Sequence, residues 1–493
     1  MTVIRHSLTA IILAGLIGAQ PTRASAQSQA PAALSLEDAL NRAVPASENL
    51  EIAKAAVLRA RGEQYRAKAD FYPQLNASAS FNRLLRSQFE GFSFGGNDSS
   101  SSGSSSGDQL PFGKKNTYNL GLSLSQSIFT GGRIVGQGRA ADAGRRSAEL
   151  GITSAAAQLT LDVVQAYYDA VTSGYQLQIA QVALDQADTT LKQAEQRKAV
   201  GTQPEFEVLR ARVARDNQRT AVIVRRNERD VALIRLKQFL NLPIDEPIRL
   251  TTSLADTTMQ STPTLSRILA TPGDTSAERR YAVRQAEEAL QAQQALSKVA
   301  RSQQFPQLVL SSAYGNVGYP GNYNPFVASY FTNWNVTFGL QIPVYTGGRI
   351  KGDKTVADAN VREAQLRMRQ LTRLARVDTR TALSGLEAAS AAWSASEGTV
   401  DQAQRAYQIA ELRYKEGLST QTELLDARLA LQTAESVRVE AARALQVARV
   451  RVALIEVLPL AGTGSGTSAQ QPQQTQQRSE TNARSNTNPG TAP

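Results

Sequence analysis

Cysteine is absent from the 493 residues, and the single histidine, His6, stands near the N-terminus. Without cysteine there is neither a disulfide nor a lipid-bearing cysteine anchor. Residues 1–26 read as a secretory signal: Arg5 and His6 precede an apolar run from Leu8 to Leu16, and Ala24-Ser25-Ala26 supplies the small-x-small cleavage pattern. That run is too short to cross a membrane as a helix. Cleavage there removes His6, so the mature chain expected from Gln27 holds neither His nor Cys. Zinc sites of the usual ligand set, Ser-His-Asp triads and Cys-His pairs are excluded together. No metal, cofactor or catalytic residue is expected, and the chain does not read as an enzyme.

Charge of one sign is not concentrated anywhere either. The 54 Lys and Arg exceed the 43 Asp and Glu to give +11, which falls to +9 when Arg5 and Arg23 leave with the signal. These charges are interspersed along helical stretches, so they read as solvated helix faces and no nucleic-acid partner is expected. Gly352-Asp353-Lys354-Thr355 misses the adjacent Gly-Lys of a phosphate loop, which leaves no nucleotide site.

What is present is a repetition. Thr130-Gly131-Gly132-Arg133-Ile134 returns as Thr346-Gly347-Gly348-Arg349-Ile350, and Gly201, Glu207, Leu209, Ala211 and Arg212 return as Gly417, Glu423, Leu425, Ala427 and Arg428, always 216 positions on. Two copies of one structural unit are therefore expected. The first runs over 27–242: N-terminal helices broken at Pro45, strands at about 74–86 and 117–129, and a helical hairpin at 133–241 with its tip near 201. A linker follows at 243–276. The second unit covers 277–460, with a helix at 277–303, strands at about 307–315 and 333–345, and a hairpin at 349–458 with its tip near 417. Residues 461–493, rich in Gln, Ser, Thr and Asn, read as a disordered tail.

The strands alternate. Leu75, Ala77, Ala79 and Phe81 interleave with Asn76, Ser78, Ser80 and Asn82, and Trp334, Val336, Phe338 and Leu340 with Asn335, Thr337, Gly339 and Gln341. Such strands have one apolar and one wet face and the length that a tilted strand needs to cross a bilayer. Four cannot close a membrane barrel, because open edges would sit in hydrocarbon without hydrogen bonds, so oligomerisation is required. The Gly/Ser-rich stretch 91–108 between the first two strands reads as an exposed loop. After each Gly-Gly-Arg, no proline occurs before the tip glycine. Large and small residues alternate in heptads there, Leu177, Leu184 and Leu191 with Ala180, Ala187 and Ala194, as close helix pairing requires.

These residues resemble the TolC-like outer-membrane efflux proteins of Gram-negative bacteria. The resemblance covers Leu34 to Leu460 and rests on Phe71-Tyr72-Pro73-Gln74-Leu75, Phe305-Pro306-Gln307-Leu308, both Thr-Gly-Gly-Arg corners, and Tyr414-Lys415-Glu416-Gly417-Leu418-Ser419. It implies an α+β membrane protein in the outer membrane: a trimeric 12-stranded outer-membrane β-barrel, four strands per protomer, continued by a long α-helical coiled-coil barrel in the periplasm. Pro73, Gly131, Gly132, Pro306, Gly347 and Gly348 would form the barrel–tunnel corners. The partners implied are two further copies (a homotrimer), outer-membrane lipid, a periplasmic adaptor, and through it an inner-membrane pump that supplies the energy. Function would be that of an exit duct in tripartite efflux or type I secretion. Gly201, Thr202, Gln203, Gly417, Leu418 and Ser419 are expected at the adaptor-contacting tips, and Glu423 and Asp426, three apart on one helix face, as acidic rings at the entrance. The family latch is matched by Tyr414 and Glu207, but Ser419 replaces its arginine, so a Tyr414–Glu207 hydrogen bond is expected to hold the gate. The alternative reading is a periplasmic coiled-coil adaptor or structural protein without a channel.

Overall fold

The computed structural model describes residues 32–86, 116–254, 262–270, 275–320, 323 and 330–460. The expected signal, the Gly/Ser-rich stretch and the C-terminal tail lie outside the described residues. The elements run β1 (Ala32–Leu34), α1 (Leu36–Ala46), α2 (Glu48–Ala69), β2 (Gln74–Arg83), β3 (Asn116–Phe129), α3 (Arg133–Ala199), α4 (Glu205–Phe239), β4 (Ile248–Leu250) and α5 (Pro263–Ala270). After a 3-10 turn at Ala277–Arg279 come α6 (Tyr281–Ser302), β5 (Gln307–Gly318), β6 (Tyr330–Gln341), α7 (Arg349–Lys415) and α8 (Gln421–Ala453).

The four longer strands form one antiparallel sheet in the order β2-β3-β5-β6. Directly opposed residues in such a sheet share a face. The register pairs Leu75 with Leu124, Ala77 with Leu122 and Ala79 with Leu120, and at the other side Leu308 with Leu340, Leu310 with Phe338 and Tyr314 with Trp334. One face is thus largely apolar, interrupted by Ser312 and Asn316, and its aromatic residues are bare: Trp334 is 72% and Phe338 69% exposed. The opposite face joins Asn76 to Ser123, Ser78 to Gly121 and Ser311 to Thr337. Among the described residues nothing pairs with the outer edges of β2 and β6.

Each sheet–helix junction is a left-handed turn. The amide of Arg133 donates to the carbonyl of Thr130 at 3.1 Å, and that of Arg349 to Thr346 at 3.1 Å. Both central residues have positive φ, 60° and 88° at Gly131 and Gly132, 59° and 84° at Gly347 and Gly348, a conformation that side chains resist. At Gly131 space is also short, because a Cβ would lie 2.7 Å from Phe305 Cβ and 2.9 Å from the carbonyl of Ser302. The first corner is therefore wedged against the segment leading to Pro306, whereas Gly347 has nothing within 4 Å.

Beyond the corners α3 and α7 run for 67 residues each, about 100 Å at the helical rise. The main core wraps the middle of α3, where Val163, Val164 and Tyr167 are sealed by Leu36 and Leu40 of α1, Leu236 of α4 and Val450 of α8. The Tyr167 hydroxyl donates to the carbonyl of Leu34 at 3.0 Å and accepts from the amide of Thr252 at 3.0 Å, so it staples both short strands to the long helix. Nearby, buried Arg280 donates to Asp378 at 2.9 Å, and Asp378 also takes Arg451 at 3.1 Å.

Several expected boundaries move. Pro45 lies inside the last turn of α1 and does not break it; so near the end only one intrahelical bond is lost, and Ser47 caps the next helix by accepting from the amide of Leu50 at 3.3 Å. Pairing, more than alternation, sets the strand ends. Tyr330 opposes Gly318 and Asn116 opposes Arg83, which starts β6 before 333, carries β5 past 315 and stops β2 short of 86. β6 ends at Gln341, just before Pro343, which has no amide to donate. The helix expected from 277 opens with the 3-10 turn, and the hairpin helices end at Phe239 and Ala453. The linker 243–276 contains two elements, α5 and β4, which pairs in parallel with β1; three-residue strands are too short to show a period.

Replacing Gly131 by Ala should cost more than replacing Gly347 by Ala. Both pay the left-handed backbone penalty of roughly 1–2 kcal/mol, but only the first also meets backbone and Phe305. Thermal unfolding of the two variants measures the difference; equal midpoints would refute the wedge.

Candidate functional site at the helix tips

At the end remote from the sheet, α3 and α7 stop in the same way. Gly201 and Gly417 have φ of 76° and 75°. The amides of Gly201 and Thr202 donate back to the carbonyls of Lys198 and Arg197 at 2.9 Å each, and those of Gly417 and Leu418 to Tyr414 and Arg413 at 3.1 and 2.8 Å. These paired bonds satisfy carbonyls that a helix end would otherwise leave open. Val200 and Leu418 project into solvent at the two turns, and the Thr202 hydroxyl donates to the carbonyl of Arg197 at 2.9 Å.

The two tips are bound to each other. Arg197, in the last turn of α3, donates to the carbonyl of Tyr414 at 3.3 Å and to that of Lys415 at 2.9 Å, while its guanidinium lies 5.1 Å from the centroid of the Tyr414 ring. A cation at the carbonyl end of α7 meets the negative end of the helix dipole as well as the ring face. On the far side Arg210 donates to the Thr422 hydroxyl at 2.7 Å. Deeper in, Arg428 of α8 is 4% exposed and donates to the Thr190 hydroxyl of α3 at 3.2 Å. Burial lowers its pKa, an effect that Tyr407 and Glu411 offset in part.

The gate contact read from the sequence is corrected here. The Tyr414 hydroxyl accepts from Gln203 Nε2 at 3.4 Å, and not from any group of Glu207. Glu207 sits in the first turn of α4 and faces α8; with the Gln421 amide oriented so that its nitrogen meets the Glu207 oxygens, the assignment their acceptor chemistry requires, it donates to the carboxylate at 2.6 Å and to the carbonyl at 3.1 Å. Tyr414 and Glu207 thus each bond to a glutamine and not to each other. The Ser419 hydroxyl is buried without a hydrogen-bond partner among the described residues. Glu423 and Asp426 are exposed on α8, the amide of Glu423 donating to Thr420 at 3.4 Å, and Asp426 borders an apolar groove with Thr399 and Leu429. The corner residues stand at the opposite end of the helices. Among the described residues no group of His, Cys, Asp or Glu could hold a metal ion, and no helix is long and apolar enough to cross a membrane.

Arg197, Arg210, Gln421 and Arg428 escaped the sequence reading. A basic residue in a last helical turn is an ordinary capping signal, and nothing local says that Arg197 reaches a second helix.

With this geometry in place, comparison with known proteins is decisive. The family model "Outer membrane efflux protein" matches residues 39–242 and 274–455. The chain belongs to the outer membrane efflux protein family. Its place is thus the outer membrane, with the helical part in the periplasm. The chain is 28% identical over 243 residues to the pyoverdine export outer membrane protein OpmQ of Pseudomonas putida, an alignment that spans about half of each (49% and 49%). It is 26% identical over 422 residues to the protein of the same name from Pseudomonas aeruginosa, covering 85% of this chain and 83% of that one. The fold resembles the CmeC outer membrane channel of Campylobacter jejuni with a TM-score of 0.70 at 19% identity, over 86% of each chain.

Replacing Arg197 by Ala should free the last carbonyls of α7 and speed hydrogen exchange at residues 412–418 by roughly tenfold, the worth of one charge-assisted hydrogen bond. Lys, which lacks the planar fork, should restore little of the protection. Exchange as slow as in the parent protein would show that the clamp contributes nothing.

Proposed function

We propose that this efflux-family chain is one protomer of a homotrimeric exit duct, in which three chains contribute four strands each to a 12-stranded barrel and their long helices to a tunnel. The observation that carries the reading is the four-stranded sheet with a bare apolar face and two open edges. In hydrocarbon an unpaired edge costs several kcal/mol for each unsatisfied group, and closure with further copies removes that cost. The wet face of Asn, Ser, Thr and Gly then lines the lumen. Two copies of one unit per chain account for the equal helices and matching glycine turns. The alternative of an adaptor without a channel leaves the bare apolar face without a purpose.

The chain performs no chemistry; it is passive, and its energy comes from an inner-membrane pump through a periplasmic adaptor. The tips present exposed turns, at Gly201, Thr202 and Gln203 and at Gly417, Leu418 and Ser419, where an adaptor helix can dock against open backbone. Glu423 and Asp426, repeated by threefold symmetry, form acidic rings that favour cations at the entrance. The named relatives export pyoverdine; here the cargo class is small molecules or secreted polypeptide, and the duct reading does not depend on which.

Detergent-purified protein should have the mass of three chains, migrate as a heat-modifiable trimer and conduct ions in planar bilayers. A water-soluble monomer would overturn the reading. Replacing Glu423 by Gln together with Asp426 by Asn should move the reversal potential in a salt gradient toward zero, since the rings no longer favour cations; an unmoved potential would remove the rings from the entrance.

A further inference from the structure

The arginine that ties the tips together has a counterpart with nothing to hold. Arg413 stands 216 positions after Arg197, and each lies four residues before its tip glycine, so both side chains leave the same position of the same glycine cap. Arg197 finds the carbonyls of Tyr414 and Lys415 because the second tip lies beside it. Arg413 is exposed, and among the described residues no acceptor of the chain receives its guanidinium.

The helix flanks differ in the same sense. Gln176, Ala183 and Thr190 of α3 are buried, and α8 lies against that helix. Their counterparts 216 positions on, Ala392, Thr399 and Ala406 of α7, are exposed. The place that α8 occupies beside α3 is, beside α7, empty within one chain. By the same offset its natural occupant is α4, the counterpart of α8, and α4 of the same chain is already engaged with α3.

We propose that Arg413 grips the tip of a second copy of this chain, donating to the main-chain carbonyls of Lys198 and Ala199 of that copy. Those positions are the counterparts of Tyr414 and Lys415, and they form the carbonyl end of a helix, where a cation is favoured. The proposal rests on the trimeric reading above and adds to it the contact that closes each seam between chains.

This second grip is the weaker one. Within a chain the guanidinium also covers the Tyr414 ring; between chains Lys198 takes the place of that tyrosine, a like charge that Glu205, 3.3 Å from its ammonium, offsets without supplying a ring. The offset also sets Glu423 opposite Glu205 of the second copy, carboxylate against carboxylate, where Glu207 meets the Gln421 amide within a chain. When the entrance widens, the seams between chains therefore part first, and the two tips of one chain travel together.

The test uses the full-length trimer, which has no cysteine of its own. Arg413→Cys combined with Ala199→Cys should be joined by a short bismaleimide into covalent dimers and trimers. The control pair Arg197→Cys with Lys415→Cys should react within a chain and add no mass. In planar bilayers Arg413→Ala should raise the resting open fraction by roughly tenfold, the equivalent of one lost charge-assisted hydrogen bond, with Arg413→Lys between the two. A particle of three-chain mass that fails to cross-link, or whose Arg413→Ala variant conducts like the parent, overturns the proposal and leaves the trimer standing. A single-chain mass overturns both.

Discussion

A backbone amide in hydrocarbon must find its acceptor inside the protein, since lipid offers none. In the proposed duct that constraint acts on this chain from the sheet outward. Among the described residues β3 and β5 pair on both sides, β2 and β6 on one side only, and the open half defines what the proposed duct needs from further copies. The apolar face adds the complementary demand: Trp334, Val336 and Phe338 are exposed among the described residues. A sheet built in this way is stable only when something continues it.

The helices answer a different requirement. With α3 and α7 at 67 residues each, no single globular core can bury their length, and the packing is divided into separate clusters. Tyr167 and its neighbours anchor the middle, while Leu191, Ala194, Val208 and Ala211 close one tip and Tyr407, Tyr414, Leu424 and Leu431 the other. Between them Leu177, Ala180 and Val222 form a further small cluster, so the apolar packing continues in steps toward the tips. The two tips are joined by a handful of polar bonds, from Arg197, Gln203 and Arg210 at the ends and from Arg428 deeper in.

Much of this was legible in the residues. Alternation placed four strands, because a period of two is unambiguous where one face is apolar. The freedom from proline between Arg133 and Ala199 placed a long helix, and the tip glycines were recognisable because only a left-handed residue closes such a cap. The tie between tips was not legible. A Tyr414–Glu207 contact looked natural, yet the phenol meets Gln203 and the carboxylate meets Gln421, a choice made by the relative rotation of two hairpins. β4 was hidden because three residues pairing with Ala32–Leu34 show no period, and α5 because its 8 residues are too few for a helical period to stand out.

The sequence by itself determined the periods, the turns and the recurring segments 216 positions apart, because these depend on neighbours within a few residues or on direct comparison of one half with the other. Tertiary structure alone decided which side chain meets which: that Arg197 spans to α7 while Arg413 faces outward, that Gly131 is wedged and Gly347 free. The reason is physical. Conformation along a chain follows from local sterics and hydrogen bonding, whereas contacts between hairpins depend on how two long helices are rotated and spaced, and a shift of one residue's width redirects every donor along them.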